Sequence, residues 1–186
     1  MEKEFREIVK VISEAKKKGY VLDFALIGAL ALSAFTEPRA TNDMDFIAVI
    51  EKDKIDVFVD WLKRNKGYGL TKLHKGRSRD KIKNLIEIPC GSTTADIIAA
   101  SHDLERDAIS AAIRISVFGK GKLKVASPEY LIILKLFAGG EQDIIDCASL
   151  WNEPVDKKFV RAAARKYYLE GRLKRAVAFA KKMRSA

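Results

Sequence analysis

The run DMDFIAVI, residues 43–50, places Asp43 and Asp45 at the mouth of a strand that is otherwise apolar. Side chains alternate along a strand, so Asp43 and Asp45 share one face with Ile47 and Val49. A strand this apolar belongs inside a sheet, and its two acids therefore stand where a core begins. Carboxylates that close repel each other, and at a buried strand end one of them is forced towards protonation. A divalent cation removes the conflict. Oxygen ligands of this hardness suit Mg²⁺, which takes one or two carboxylates and leaves positions for phosphate oxygens.

The flanking sequence predicts a mixed architecture. Phe5, Ile8, Val9 and Ile12 mark an amphipathic helix over 2–18, stopped by Gly19. VLDFALIG reads as a strand ending at Gly28, and ALALSAFTE as a small-residue helix closed before Pro38. DKIDVFVDWLKRN, 53–65, is a further helix with Asp53 as its cap. The basic, glycine-punctuated stretch 66–83 reads as a mobile loop or short hairpin. NLIEIPC and TADIIAA are strands joined by the Gly-Ser turn at 91–92, a short helix follows near 102–110, and AIRISVFG and KLKVA are strand-like. From Ser127 the texture is helical alone, with Ser127-Pro128-Glu129 as N-cap, N1 proline and first-turn acid. Helices are expected near 128–138, 140–151, 156–168 and 170–183. The expected fold is α+β, a mixed sheet flanked by helices over 1–125 with a C-terminal helical region over 126–186.

A third acid, Asp96, lies inside TADIIAA between Ala95 and Ile97, where an unpaired carboxylate is costly. If its strand neighbours 43–50, three carboxylates converge, enough for two metal ions in an in-line phosphoryl transfer. Gly28, between strand and helix, allows close backbone approach, and the helix start beyond it offers N–H groups to an anion. Each feature alone is weak; their order along the chain is the specific signal.

That order resembles the DNA polymerase β-like nucleotidyltransferase superfamily, and more closely the AbiEii-type nucleotidyltransferase toxins. The resemblance rests on Gly28-Ala29, Arg39-x-Thr41-x-Asp43-x-Asp45, Asp96 and SPEYLIILKLFAGGEQDIIDCASLW, which carries Lys135, Asp143 and Asp146. It covers roughly residues 20–151. It implies a nucleotidyltransferase fold and a Mg²⁺-dependent enzyme, with two metal ions, that moves an NMP from an NTP to an acceptor hydroxyl. Asp43, Asp45 and Asp96 would be catalytic and metal-binding, Gly28, Ala29, Arg39 and Lys135 would meet the nucleotide, and Thr41, Asp143 and Asp146 would support them. Two departures stand out: Ala29 replaces the family's second glycine or serine, and Glu141-Gln142 stand where an arginine is often found. A degenerate nucleotide-binding module without catalysis is the competing reading, as is transfer to a small molecule or a protein hydroxyl.

Other readings stay open residue by residue. Lys135, in a helix apolar nearly all round, either snorkels to solvent or meets an anion. Asp143 and Asp146 share a helix face, and salt bridging to Lys135 accounts for them equally well. Arg39 and Thr41 shape the loop ahead of Asp43, and Arg39 has reach to a phosphate. Arg77 and Arg79 are solvated loop charges or acceptor contacts; His74 and His102 have no ligand spacing.

Charge is uneven. Residues 156–186 hold eleven Lys and Arg against Asp156 and Glu170, so +9 of the chain's +10 lies in its last helices. Such a run is a solvated helix face or a surface for a polyanion such as RNA; the toxin resemblance points to a tRNA end. The toxin resemblance leaves a cognate antitoxin open as a further partner. With 48% hydrophobic and 32% charged residues, wholesale disorder is excluded. No run is long enough to span a bilayer and the N-terminus lacks a signal-peptide pattern, so a cytoplasmic protein is expected. Cys90 and Cys147 lack CxxC spacing and read as reduced structural thiols.

Overall fold

The computed structural model describes residues 1–119 and 121–185. Its elements are α1 (Glu2–Lys17), β1 (Asp23–Leu26), α2 (Gly28–Leu32), β2 (Asp43–Val49), a 3-10 turn (Lys52–Lys54), α3 (Ile55–Asn65), β3 (Lys72–Lys75), β4 (Asn84–Cys90) and β5 (Thr93–Ala99). They continue with α4 (Asp103–Ser110), β6 (Ile113–Ser116), β7 (Lys122–Val125), α5 (Pro128–Ala138), α6 (Glu141–Asn152), α7 (Lys157–Lys166) and α8 (Glu170–Ser185). The expected α+β class, a mixed sheet with helices and a helical C-terminal region, is what the chain forms.

The seven strands make one sheet in the order β3-β4-β5-β2-β1-β7-β6. β2 runs parallel to β5 and β1 parallel to β7, while the remaining neighbours are antiparallel. β2 is therefore interior, as its composition requires. Met44, Phe46 and Ala48 on one side are fully buried, with Phe46 meeting Phe5 of α1. Ile47 on the other side is equally buried and faces Leu131 and Leu134 of α5 across a cleft. One hydrophobic core takes in residues from both sides of position 125, from Phe5 to Ala180.

Local sequence accounts for most boundaries. Ser127 Oγ accepts from the Tyr130 N–H, Pro128 opens α5, and Gly139 closes it in the left-handed conformation at φ 78°. The Gly91-Ser92 turn pairs Cys90 with Thr93 and so sets the β4–β5 register. One expectation needs correction, and another resolves between its two alternatives. Asp53 does not cap α3: the N-cap is Lys54, without a side-chain cap, and Asp53 lies in the preceding 3-10 turn. The 66–83 segment is not all loop, because Lys72–Lys75 pairs with β4 and becomes the sheet edge. Period-two hydrophobicity is missing there because an edge strand with exposed lysines buries little. Among the described residues no helix is long and apolar enough to cross a membrane. Cys90 and Cys147 are both free and buried.

Candidate active site

Parallel pairing sets Asp45 directly opposite Asp96, and Asp43 opposite Thr94. Residues in register on neighbouring strands project to the same face, so both acids look onto one side of the sheet. Asp45 and Asp96 are half-buried, and Asp43, the first residue of β2, is exposed. Thr41 Oγ1 accepts from the Asp43 N–H at 3.3 Å, fixing the entry to the strand. Among the described residues no three His, Cys, Asp or Glu side chains converge closely enough to hold a metal ion as they stand. The expected three-carboxylate cluster is thus a facing pair with a third acid at its mouth.

Gly28 makes room for this pair. The Ile27 N–H donates to the Asp45 carbonyl at 2.8 Å, and Gly28 then turns into α2 with φ +69°. A Cβ on Gly28 would lie 1.9 Å from Asp45 Oδ2 and 2.6 Å from the carboxyl carbon. Only glycine both adopts this conformation and lets the carboxylate rest on the backbone. Burial, aided by Asp96 and Asp43 and opposed by Lys135, lifts Asp45 from its ordinary 3.8 to about 6. Burial also raises Asp96, with Asp43 and Glu87 adding to it. Asp96 Oδ1 is buried with no hydrogen-bond partner. Two half-buried carboxylates whose proton affinities are both raised, one with an orphaned oxygen, are a donor set suited to a hard divalent cation.

The cleft beside them measures about 360 Å³ and lies between the sheet face and α5. Gly28, Asp45 and Lys135 line it together with apolar walls from Ile47, Ile98, Leu131 and Leu134. Of the residues expected to meet a nucleotide, Gly28 and Lys135 are therefore in this cleft. Ala29 is buried, and Arg39 lies outside the cleft lining, bonded to Asp146 and near enough to Asp45 to lower it. Arg39 donates from Nε and Nη2 to the two carboxylate oxygens of Asp146, at 3.2 and 3.1 Å. Lys135 Nζ sits 2.9 Å from Asp146 and 3.0 Å from Asp143. Asp143 also accepts from the Gly140 N–H, and Gln142 donates to Asp146. Burial pushes the Lys135 ammonium down, but the ion pairs with Asp146 and Asp143 outweigh it and hold it above its usual value. Burial likewise opposes the Asp146 carboxylate, and Lys135, Gln142 and Arg39 together hold it below the usual range. Salt bridging thus describes Asp143 and Asp146, and Lys135 meets two anions of its own chain.

Two groups at the site escaped the sequence reading. Lys81, in the 66–83 segment, lines the cleft and donates to the carbonyls of Phe137 and Ala138 at 2.7 and 2.9 Å. His102 fixes that strap through a hydrogen bond between Nε2 and the Lys81 carbonyl at 2.9 Å. Glu87 stands opposite Asp96 on β4 and is paired with Lys72 at 3.0 Å and with His74 at 3.2 Å. Nothing in the aperiodic loop marks Lys81. Glu87 was within reach: counting back from the 91–92 turn puts it across from Asp96. Arg77 and Arg79 are exposed and lie outside the cleft.

No protein-family model matches the chain, and no curated protein matches it in sequence. Among solved structures it is similar to the antibiotic-resistance factor ANT(2'')-Ia in a solution structure. That match has 17% identity and a TM-score of 0.47 over 97% of this chain and 92% of the other. It is similar to the lincosamide antibiotic adenylyltransferase LnuA, lincomycin-bound, at 12% identity and TM-score 0.48 over 79% of this chain and 96% of that one. JHP933 from Helicobacter pylori matches at 16% identity and TM-score 0.45, over 99% and 92% of the two chains. Likenesses of this degree leave the functional reading to the chain's own residues.

Proposed function

We propose that this protein is a Mg²⁺-dependent nucleotidyltransferase, moving an NMP from an NTP to an acceptor hydroxyl. The facing Asp45–Asp96 pair, with Asp45 seated on Gly28 and Asp96 Oδ1 left without a partner, is the observation that carries this reading. Asp45 and Asp96, with Asp43 beside them, are the residues that would hold Mg²⁺. Bound there, the cation supplies charge neutralisation for phosphate oxygens and acidifies a hydroxyl.

The chain's own groups do the rest. Backbone N–H groups at the Gly28 turn donate to triphosphate oxygens, and Lys135 keeps positive charge in the cleft at neutral pH. Ile47, Ile98, Leu131 and Leu134 exclude water from the nucleotide, which favours transfer over hydrolysis. Asp96, with its proton affinity raised by burial, accepts the acceptor's proton. The acceptor oxygen bonds to the α-phosphorus, the α–β bridging P–O bond breaks, and pyrophosphate leaves with its electron pair. Position and charge supply most of the rate.

The test offers each α-labelled NTP with Mg²⁺ to total RNA, to small hydroxyl compounds and to the protein alone. Label enters one acceptor pool with wild type and none with Asp43→Ala/Asp45→Ala, whose far-ultraviolet circular dichroism matches wild type. Undiminished transfer by the double variant would refute the metal assignment. Mg²⁺-dependent NTP binding without transfer to any pool would instead support the binding-module reading.

A further inference from the structure

The last two helices carry a second feature. α7 and α8 enclose a groove of about 370 Å³ with Leu173 and Val177 as its floor and Arg161, Arg165 and Lys174 on its walls. All three cations are exposed, and two of them are held in place. Arg161 lies 5.2 Å from the centre of the Trp151 ring, and Arg165 Nε is 3.2 Å from Glu170. The segment 156–186 contributes nine net positive charges.

Tyr168, at the end of the groove's first helix, singles this surface out. α7 terminates in a Schellman motif: the Tyr168 N–H donates to the Arg165 carbonyl at 3.2 Å, and the Leu169 N–H to Ala164 at 2.7 Å. The residue between them must be left-handed, and glycine is the usual occupant. α1 ends in the same two-bond pattern with Gly19 at that position, φ +75°. α7 places Tyr168 there instead, at φ +59° and with 92% of its surface exposed. The ring has no packing role at that exposure. A strained, fully presented aromatic in the short connection between the two helices of a cationic groove is suited to stacking on a base while arginine and lysine meet the phosphates.

We propose that the α7–α8 groove, with Tyr168 in the connection between its two helices, docks a single-stranded polynucleotide. The docking surface stands by itself; only the strand's role as acceptor rests on the nucleotidyl-transfer reading. Phosphates neutralise Arg161 and Lys174, Arg165 being paired with Glu170 on the groove wall, and an unpaired base stacks on Tyr168. A duplex keeps its bases inside and forfeits the stacking contact.

Fluorescence anisotropy of the full chain with a labelled single-stranded RNA of about 12 nucleotides, within the usual footprint of such grooves, tests this. Wild type binds and loses affinity steeply with salt. Arg161→Gln/Lys174→Gln makes the slope of log K against log salt shallower by about 1.4, two phosphate contacts' worth. Tyr168→Gly weakens binding about tenfold, with the slope unchanged. Its melting temperature is retained, because glycine suits the left-handed position better. Lys10→Gln/Lys17→Gln on α1 removes the same charge and leaves binding as it was. Three results overturn the proposal: no binding, an α1 pair as damaging as the groove pair, or Tyr168→Gly binding like wild type. Equal affinity for a duplex or for polyglutamate overturns it too. The assay contains neither NTP nor Mg²⁺, so its failure and a failure of transfer are separate events.

Discussion

Asp45 shows at the scale of one residue how a site can work against the stability of its fold. Burial, aided by Asp96 and Asp43, raises this carboxylate to about 6. A raised acid pKa means that the native state holds its proton more tightly than the unfolded chain. Without metal, stability is therefore greatest below about pH 4 for this group and is lost as pH rises through about 6. At neutral pH the metal-free protein carries a penalty of about 3 kcal/mol from this one residue. Asp45→Asn is expected to raise the stability of the metal-free protein at neutral pH by about 1–3 kcal/mol in urea unfolding, and to have little effect near pH 4. A variant less stable than wild type at neutral pH would contradict the electrostatic account of the pair. Asp43, Asp45 and Gly28 were legible in sequence because strand alternation and a strand-to-helix glycine are local signals. That Asp43 is exposed while Asp45 is half-buried was not, since it depends on how far Gly28 and α5 cover the strand end.

Between elements, the decisive contact joins the loop before β2 to α6. Arg39 and Asp146 are 107 residues apart, and their two-pronged bond ties the acid-bearing strand to the helical region. Asp146 is 2% exposed and serves both Arg39 and Lys135. Removing it leaves Lys135 with Asp143 alone and deprives Arg39 of its two-pronged partner, and breaking a pair at so buried a carboxylate costs about 3 kcal/mol. Asp146→Asn should therefore lower unfolding stability by about 3 kcal/mol, while Arg39→Met, at a partly exposed partner, costs about 1 kcal/mol. Equal, small losses from both would show that the network is not a clamp. Because its partners hold the Asp146 carboxylate below the usual range, this contribution persists at mildly acid pH and is lost only as pH falls through that lowered value. Helix α5 was readable to the residue, since Ser127, Pro128 and Gly139 are local start and stop signals. The Arg39–Asp146 partnership was not, because nothing local selects a partner over a hundred residues away.

Across the whole molecule, charge and function are divided. The acids sit in the sheet, near the start of β2, and nine net positive charges sit in the last helices. The cleft lies between the sheet face and α5, the helix that leads into that basic region. The basic run of the last helices was legible in the sequence; the long-range assembly was not, namely the strand order, the Lys81 contact with the end of α5 and the Tyr168 cap. Each of these is a tertiary pairing or a backbone conformation without a periodic signature. The central claim is that the Asp45–Asp96 pair holds Mg²⁺ against a nucleotide in this cleft. Calorimetric titration of Mg²⁺ with an NTP whose α–β bridge is a methylene measures it most directly, on wild type and Asp45→Asn at about pH 7.5 and about pH 5. The predicted result is Mg²⁺-dependent binding by wild type that weakens at the lower pH as Asp45 takes up its proton, and none by Asp45→Asn at either pH. Binding by Asp45→Asn equal to wild type, or wild-type binding indifferent to Mg²⁺, would contradict it.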